Sequence, residues 1–91
     1  MLFAFICTDK PDALDIRMAN RPAHLEWLGS TRGVYIAGPL LDEGQTPCGS
    51  ILVVEHENLE AARQWAAQDP YAQAGLFESV AIREWKKVIG Q

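Results

Sequence analysis

The chain is short of most features that would announce a chemistry outright. Cysteine is scarce: Cys7 and Cys48 are the only two in 91 residues. They form no C-x-x-C or zinc-type cluster, so neither a disulfide framework nor a metal site has support. Positive charge is also scarce. Eight Lys and Arg stand against twelve Asp and Glu, a formal charge of -4 at pH 7, whereas a nucleic-acid binder normally carries a basic patch or stripe. No apolar run approaches the ~20 residues that span a bilayer. The opening Met1–Cys7 stretch is apolar but has no basic leader segment and meets Asp9 almost at once, so it reads as a strand and not as a signal peptide. Dinucleotide, P-loop, zincin, EF-hand and G-x-S-x-G patterns are missing. These absences set nucleic acid and membrane aside as partners and imply no cofactor and no metal. They are consistent with two reduced thiols in a cytoplasmic protein.

What is present suits a folded protein. Hydrophobic residues make up 48% of the chain and the mean hydropathy is -0.07, which excludes disorder by composition. The length predicts a single domain over residues 1–91. A core of that size is thin, so association with a partner is expected from the start.

Residues 2–8 are rich in aromatic and branched side chains and end at Asp9-Lys10-Pro11-Asp12, a strand followed by a turn. From Ala13 to Ser30 the period changes: Leu14, Met18, Leu25 and Leu28 fall on one helical face. Pro22 should kink this helix or start a second segment, and Gly33 is a plausible stop. Val34–Ala37 is a second strand that Gly38-Pro39 should end, and Leu40 to Pro47 reads as a polar hairpin connection. A third strand runs from Ser50 to Glu55. Asn58 is a good N-cap, with Glu60 in the first turn, for a helix reaching about Gln68. Its buried side would be Leu59, Ala62, Trp65 and Ala66. Pro70 stops that helix at Asp69, and the last strand lies within Leu76–Lys86, with Val80, Ile82 and Trp85 inward.

The order βαββαβ is the ferredoxin-like α+β arrangement, a four-stranded antiparallel sheet with two helices on one face. A sheet with one wet face should alternate apolar and polar residues, and Leu2–Cys7, Val34–Ala37 and Ile51–Val54 do not. Two helices cover one side only. The other side calls for the same sheet from a second subunit, which makes a homodimer, or an assembly of dimers, in the manner of a dimeric α+β barrel.

Two histidines occur, His24 and His56. On a continuous helix His24 shares a stripe with Arg17 and Arg21, a set suited to an anionic ligand because Arg offers a forked donor. If Pro22 starts a new segment, His24 falls in its first turn, where the helix dipole favours the neutral imidazole a general base needs. By pattern alone His24 is a half-buried helix residue bonded to a carbonyl. His56, between Glu55 and Glu57, reads as solvated. Asp69 before Pro70 is a common turn initiator whose carboxylate bonds N–H groups downstream. At a helix C-terminus, however, the dipole disfavours its charge, so it wants a cationic or donor partner. Ser50, after Gly49, is a candidate donor near the helix edge or simply a strand-entry residue. Gly38 permits close approach of a ligand to the backbone. Tyr71 is placed at the pocket mouth or at a dimer seam, and the three tryptophans read as packing.

Arg17, His24-Leu25, Gly33, Ala37-Gly38-Pro39, Gly49-Ser50 and Asp69-Pro70-Tyr71 occur in an order that resembles the YciI-like (YCII-related) family of small bacterial proteins. The resemblance covers nearly the whole chain. It implies a dimeric α+β barrel in which His24, from the first helix, is paired with Asp69, from the DPY turn, in an active site.

On that basis the chain reads as a small cofactor-independent enzyme. His24 is its acid or base, Asp69 orients the ring, and Arg17, Arg21, Ser50, Tyr71 and Gly38 bind a small anionic or hydroxylated molecule. The wider barrel group suggests lyase-, isomerase- or dehalogenase-like proton chemistry, although fold alone does not fix function. The alternative is a non-catalytic ligand-binding or regulatory dimer using the same pocket.

Overall fold

A computed structural model describes residues 1–90. Seven elements follow one another: β1 (Leu2–Asp9), α1 (Leu14–Ser30), β2 (Val34–Leu41), β3 (Pro47–Glu55), α2 (Leu59–Ala67), the single turn α3 (Pro70–Gln73) and β4 (Phe77–Trp85). The strands form one antiparallel sheet in the order β2-β3-β1-β4. This is the ferredoxin-like α+β fold, with α3 added between α2 and β4.

Cross-strand partners share a face, so the register sorts the sheet into two sides. Phe3, Phe5 and Cys7 stand opposite Val54, Leu52 and Ser50. Phe3, Phe5, Cys7, Leu52 and Val54 form the buried core with Ala62 of α2, and Leu28, Leu59 and Trp65 pack on it from the helices. The other side carries Ile6 opposite Ile51 and Ile36 opposite Val53. Ile6, Ile51 and Ile36 are 43%, 37% and 56% exposed. Apolar residues thus occupy both faces, and the helices cover one.

Asn58 caps α2 by accepting the Ala61 N–H at 2.8 Å, and Ala62 is its buried residue. Several expectations need correction. Gly38-Pro39 does not end β2, which continues to Leu41. β2 lies at the sheet edge, where a proline interrupts no central ladder. β3 begins at Pro47, and the connection shrinks to a turn in which Asp42 Oδ1 accepts N–H bonds from Gly44 and Thr46. Pro22 lies inside a continuous α1 on the exposed stretch Arg21–Ala23, where water can serve the carbonyl its ring leaves unpaired. Leu14, Met18 and Leu25 are 40%, 53% and 46% exposed, while Arg17 and His24 are buried. Leu14, Met18 and Leu25 are thus turned about one residue, about 100°, from the side that faces the protein, and Leu28 alone of the expected stripe packs on the core. Trp85 pairs with Leu2 on the uncovered side of the sheet, away from Ile82. Among the described residues no helix is long and apolar enough to cross a membrane.

His56 is not solvated. Its ring lies against Phe5 (5.8 Å between centroids), Trp65 (5.2 Å) and Phe3 (6.4 Å). Its Nε2 is buried with no hydrogen-bond partner among the described residues. Burial lowers its pKa, against the opposing pull of Glu55.

Candidate functional site

Arg17 and His24 are seven residues, about two turns, apart on α1, and Tyr71 of α3 fills the gap between them. The Tyr71 ring stacks on His24 with centroids 3.9 Å apart and planes 16° from parallel, and the Arg17 Cζ lies 4.6 Å from its centroid. Tyr71 is 2% exposed. Burial raises the phenol pKa, against the pull of Arg17 and Arg21, so the group stays protonated and can donate.

Asp69 sits where α2 hands over to α3. Pro70, at the first position of α3, has its φ preset for the helix, and Asp69 is the N-cap. Its Oδ1 accepts the Tyr71 backbone N–H at 2.9 Å and meets His24 Nδ1 at 2.8 Å. One oxygen therefore serves the turn and the histidine together. The two side chains are 7% (His24) and 3% (Asp69) exposed. A carboxylate only accepts, so Nδ1 carries a proton, and in the neutral ring Nε2 keeps the lone pair.

Arg17 is tied down by a second carboxylate. Its Nε and Nη2 donate to Asp9 Oδ2 and Oδ1 at 2.7 and 2.9 Å, and Nη2 also donates to Ser50 Oγ at 3.0 Å. Burial works against the guanidinium charge, but the bonds and charge of Asp9 outweigh it and raise the Arg17 pKa. Ser50, 2% exposed, stands opposite Cys7. The preceding residue must be glycine for β3 to lie so close, because a Cβ on Gly49 would run into the Cys7 carbonyl oxygen.

A cavity of about 260 Å³ opens beside these residues, lined by Arg21, His24, Ser50 and Tyr71, by the β2 stretch Ala37-Gly38-Pro39, and by Leu25, Leu28 and Leu52. His24, Arg21, Ser50, Tyr71 and Gly38 are thus brought to one wall, with Asp69 behind His24. Arg17 is placed differently from expectation: it does not line the cavity, because its fork is closed on Asp9. Arg21, exposed at the rim, makes no ion pair among the described residues. A larger concavity of about 320 Å³ lies between the β1–α1 turn and the β2–β3 hairpin. It contains no histidine, and its one buried carboxylate, Asp9, is already committed to the Arg17 fork, so the smaller cavity is the chemically equipped one. Among the described residues no group of three or more His, Cys, Asp or Glu is placed to hold a metal.

Asp9 is the residue that sequence reasoning missed. At a strand end before Pro11 it reads as turn punctuation. Only the fold shows that its carboxylate is buried with an arginine eight residues on.

A family model for the YCII-related domain matches residues 1–86, and the chain belongs to that family. Protein YciI of Escherichia coli O6:H1 is 38% identical over 100 residues, covering 97% of this chain and 99% of that protein. An uncharacterized protein of Haemophilus influenzae is 36% identical over 97 residues, with the same coverage. Among solved structures, 5-chloro-2-hydroxyhydroquinone dehydrochlorinase (TftG) of Burkholderia phenoliruptrix AC1100, in complex with 2,5-dihydroxybenzoquinone, is 30% identical. It superposes with a TM-score of 0.87 over 94% of each chain. An antibiotic biosynthesis monooxygenase shares 14% identity and a TM-score of 0.56, over 96% of this chain and 100% of that one. That second likeness is one of fold alone.

Proposed function

We propose that this member of the YCII-related domain family is a small enzyme that moves protons on a hydroxylated or anionic single-ring compound. His24 is its acid–base group and Asp69 orients the ring. The observation that carries the reading is the commitment of His24 Nδ1 to Asp69 at 2.8 Å, in a residue that lines a cavity. Nε2 is then the nitrogen left to accept a proton from a ligand. Positioned acid–base catalysis typically contributes ~10²–10⁴-fold, enough for an activated substrate.

The cavity's size and lining favour a ring. At about 260 Å³ it is smaller than the ~300–1,000 Å³ of drug-sized pockets, and Leu25, Leu28 and Leu52 offer apolar walls to a ring face. Ser50 and Arg21 suit an oxygen that carries charge. The likeness to TftG supports a halogenated hydroquinone or hydroxyquinone as the substrate class. In such an elimination one ring hydroxyl first passes its proton to the halogen-bearing carbon, which becomes tetrahedral beside a new carbonyl. His24 then takes the proton of the hydroxyl para to that carbonyl. The O–H pair becomes a C=O π bond, the displaced ring π pair shifts to the tetrahedral carbon, and halide leaves with its bonding pair. The net loss is HX, and no oxidant is required.

The test is incubation of the protein with chlorinated and unsubstituted hydroquinones, following the ultraviolet spectrum and released chloride. Turnover by the native chain is expected, with a loss of about 10²–10⁴-fold in His24→Gln and retained binding of 2,5-dihydroxybenzoquinone. Binding without turnover by the native chain, and equal binding by His24→Gln, would replace this reading with a ligand-binding module.

The assembly expected with this reading is a homodimer, supported by the apolar uncovered face around Ile6, Ile36 and Ile51. Sedimentation equilibrium should give a dimer for the native chain and a monomer for Ile6→Lys. The free thiols Cys7 and Cys48 suit the cytoplasm.

A further inference from the structure

We infer that Asp9 is a positioning residue of this site: through Arg17 it holds the Ser50 hydroxyl as a hydrogen-bond donor to whatever fills the cavity. The inference rests on reading that cavity as the working site. Ser50 Oγ accepts from Arg17 Nη2 at 3.0 Å, and a hydroxyl has one proton to give. Ser50 donates to no group among the described residues, and it lines the cavity. Its proton is therefore the group offered to a ligand.

The arrangement repeats, with opposite sign, what Asp69 does for His24. Asp69 takes the Nδ1 proton and makes His24 an acceptor. Asp9 takes two Arg17 donors, leaves Nη2 a second proton for Ser50, and makes Ser50 a donor. Asp9 also cancels the Arg17 charge with a bidentate pair whose side chains are each only 5% exposed. The wall near Ser50 is then polar but neutral, and attraction of an anion falls to Arg21 at the rim. The site asks its ligand for two features, a hydroxyl to give up and a second oxygen to accept. Hydroquinones carry both on one ring, whereas a hydroxyquinone, a vinylogous acid ionised at neutral pH, offers the accepting oxygens alone and so probes the Ser50 donor by itself.

The test uses the full chain and 2,5-dihydroxybenzoquinone as the probe, measured by isothermal titration calorimetry. Asp9→Asn is expected to weaken binding about tenfold, as Ser50→Ala does, and to add less than twofold in the Ser50→Ala background. Full additivity would mean that Asp9 does not act through Ser50 and would overturn the inference. Because Asp9→Asn strands a buried guanidinium and can unfold so small a chain, the charge-free pair Asp9→Leu/Arg17→Met is the second variant. It should fold and bind as weakly as Ser50→Ala; native-strength binding by it overturns the inference.

A ligand-free arm separates this inference from the functional reading. In NMR spectra Asp9→Asn, or the double variant, should shift Ser50 13Cβ and leave the His24 Nδ1–H resonance in place, whereas Asp69→Asn should do the reverse. If the native chain ignores the quinone, the functional reading fails and the NMR arm decides. An unmoved Ser50 13Cβ then overturns the role of Asp9.

Discussion

Tyr71 lies face to face with His24, 3.9 Å between ring centroids, while Asp69 Oδ1 accepts both the Tyr71 backbone N–H and the His24 Nδ1–H. The tyrosine and the histidine are fixed to each other twice, by a stack and by a shared carboxylate oxygen. Arg17 closes the far side of the phenol ring at 4.6 Å. Removing the ring should leave a cavity at the centre of the site. Tyr71→Ala is expected to cost about 3–5 kcal/mol, the range for large aromatic truncations. Tyr71→Phe keeps the stack and removes no hydrogen bond among the described residues, so it should cost less than about 1 kcal/mol. Urea unfolding of the three chains checks both values.

Asp69 has a turn role and a histidine role, and two substitutions separate them. Asn at position 69 can keep an oxygen where Oδ1 stands, so the cap and the geometry survive while the charge is lost. Ala loses the cap as well, at about 0.5–2 kcal/mol, on top of the lost bond to His24. Asp69→Asn should therefore unfold near the native midpoint, with the His24 Nδ1–H proton moved upfield because its bond is no longer charge-assisted. Asp69→Ala should lose stability and that resonance together. An Asn variant as unstable as the Ala variant would mean that the charge is structural.

How far the sequence could be read follows from which residues find partners nearby. Apolar runs and turn residues located every strand and both longer helices, and the lack of alternation in β1, β2 and β3 anticipated two apolar sheet faces. The inward side of α1 was misplaced because hydrophobic periodicity ranks Leu14, Met18 and Leu25 above Arg17 and His24. Those two are buried because their charge and polarity are matched by Asp9 and Asp69, the latter 45 residues from His24, and no local window contains such a match. The pairing of His24 with Asp69 is legible mainly through family resemblance; the helix dipole alone says that Asp69 wants a cationic or donor partner and only weakly favours a histidine. His56 was misread for a related reason: Glu55 and Glu57 beside it are exposed, but the strand alternation turns the ring between them onto Phe5 and Trp65.

The two cysteines should differ sharply in reactivity. Cys7 is 2% exposed, and burial above all, with the negative charge of Asp69 adding to it, pushes its thiol up to about 12. The thiolate is the nucleophile, so Cys7 is both inaccessible and protonated at neutral pH. Cys48 is exposed. Iodoacetamide under native conditions should label one thiol per chain, assigned to Cys48 by peptide mass mapping, with Cys7 labelled only after unfolding. Native labelling of Cys7 would contradict the burial of β1.

His56 gives stability an acid dependence whose direction is fixed. Its folded-state pKa is lowered from the ordinary value of 6.5, chiefly by burial, so the unfolded chain takes up the proton first as pH falls. The stability linked to the neutral ring is complete above pH 6.5. It is lost as pH drops through the window between that value and the lowered folded-state pKa. The groups beside the ring are Glu55, whose charge opposes the shift, and the N-terminal ammonium, which adds to it; these two pair with each other at 2.7 Å. His56→Phe keeps an aromatic ring against Phe5 and Trp65 and cannot titrate. Urea midpoints for the native chain and His56→Phe should run parallel above pH 6.5 and diverge below it, the native chain losing stability faster. Curves that stay parallel down to about pH 5 would mean that water reaches Nε2 and the imidazole charges without cost.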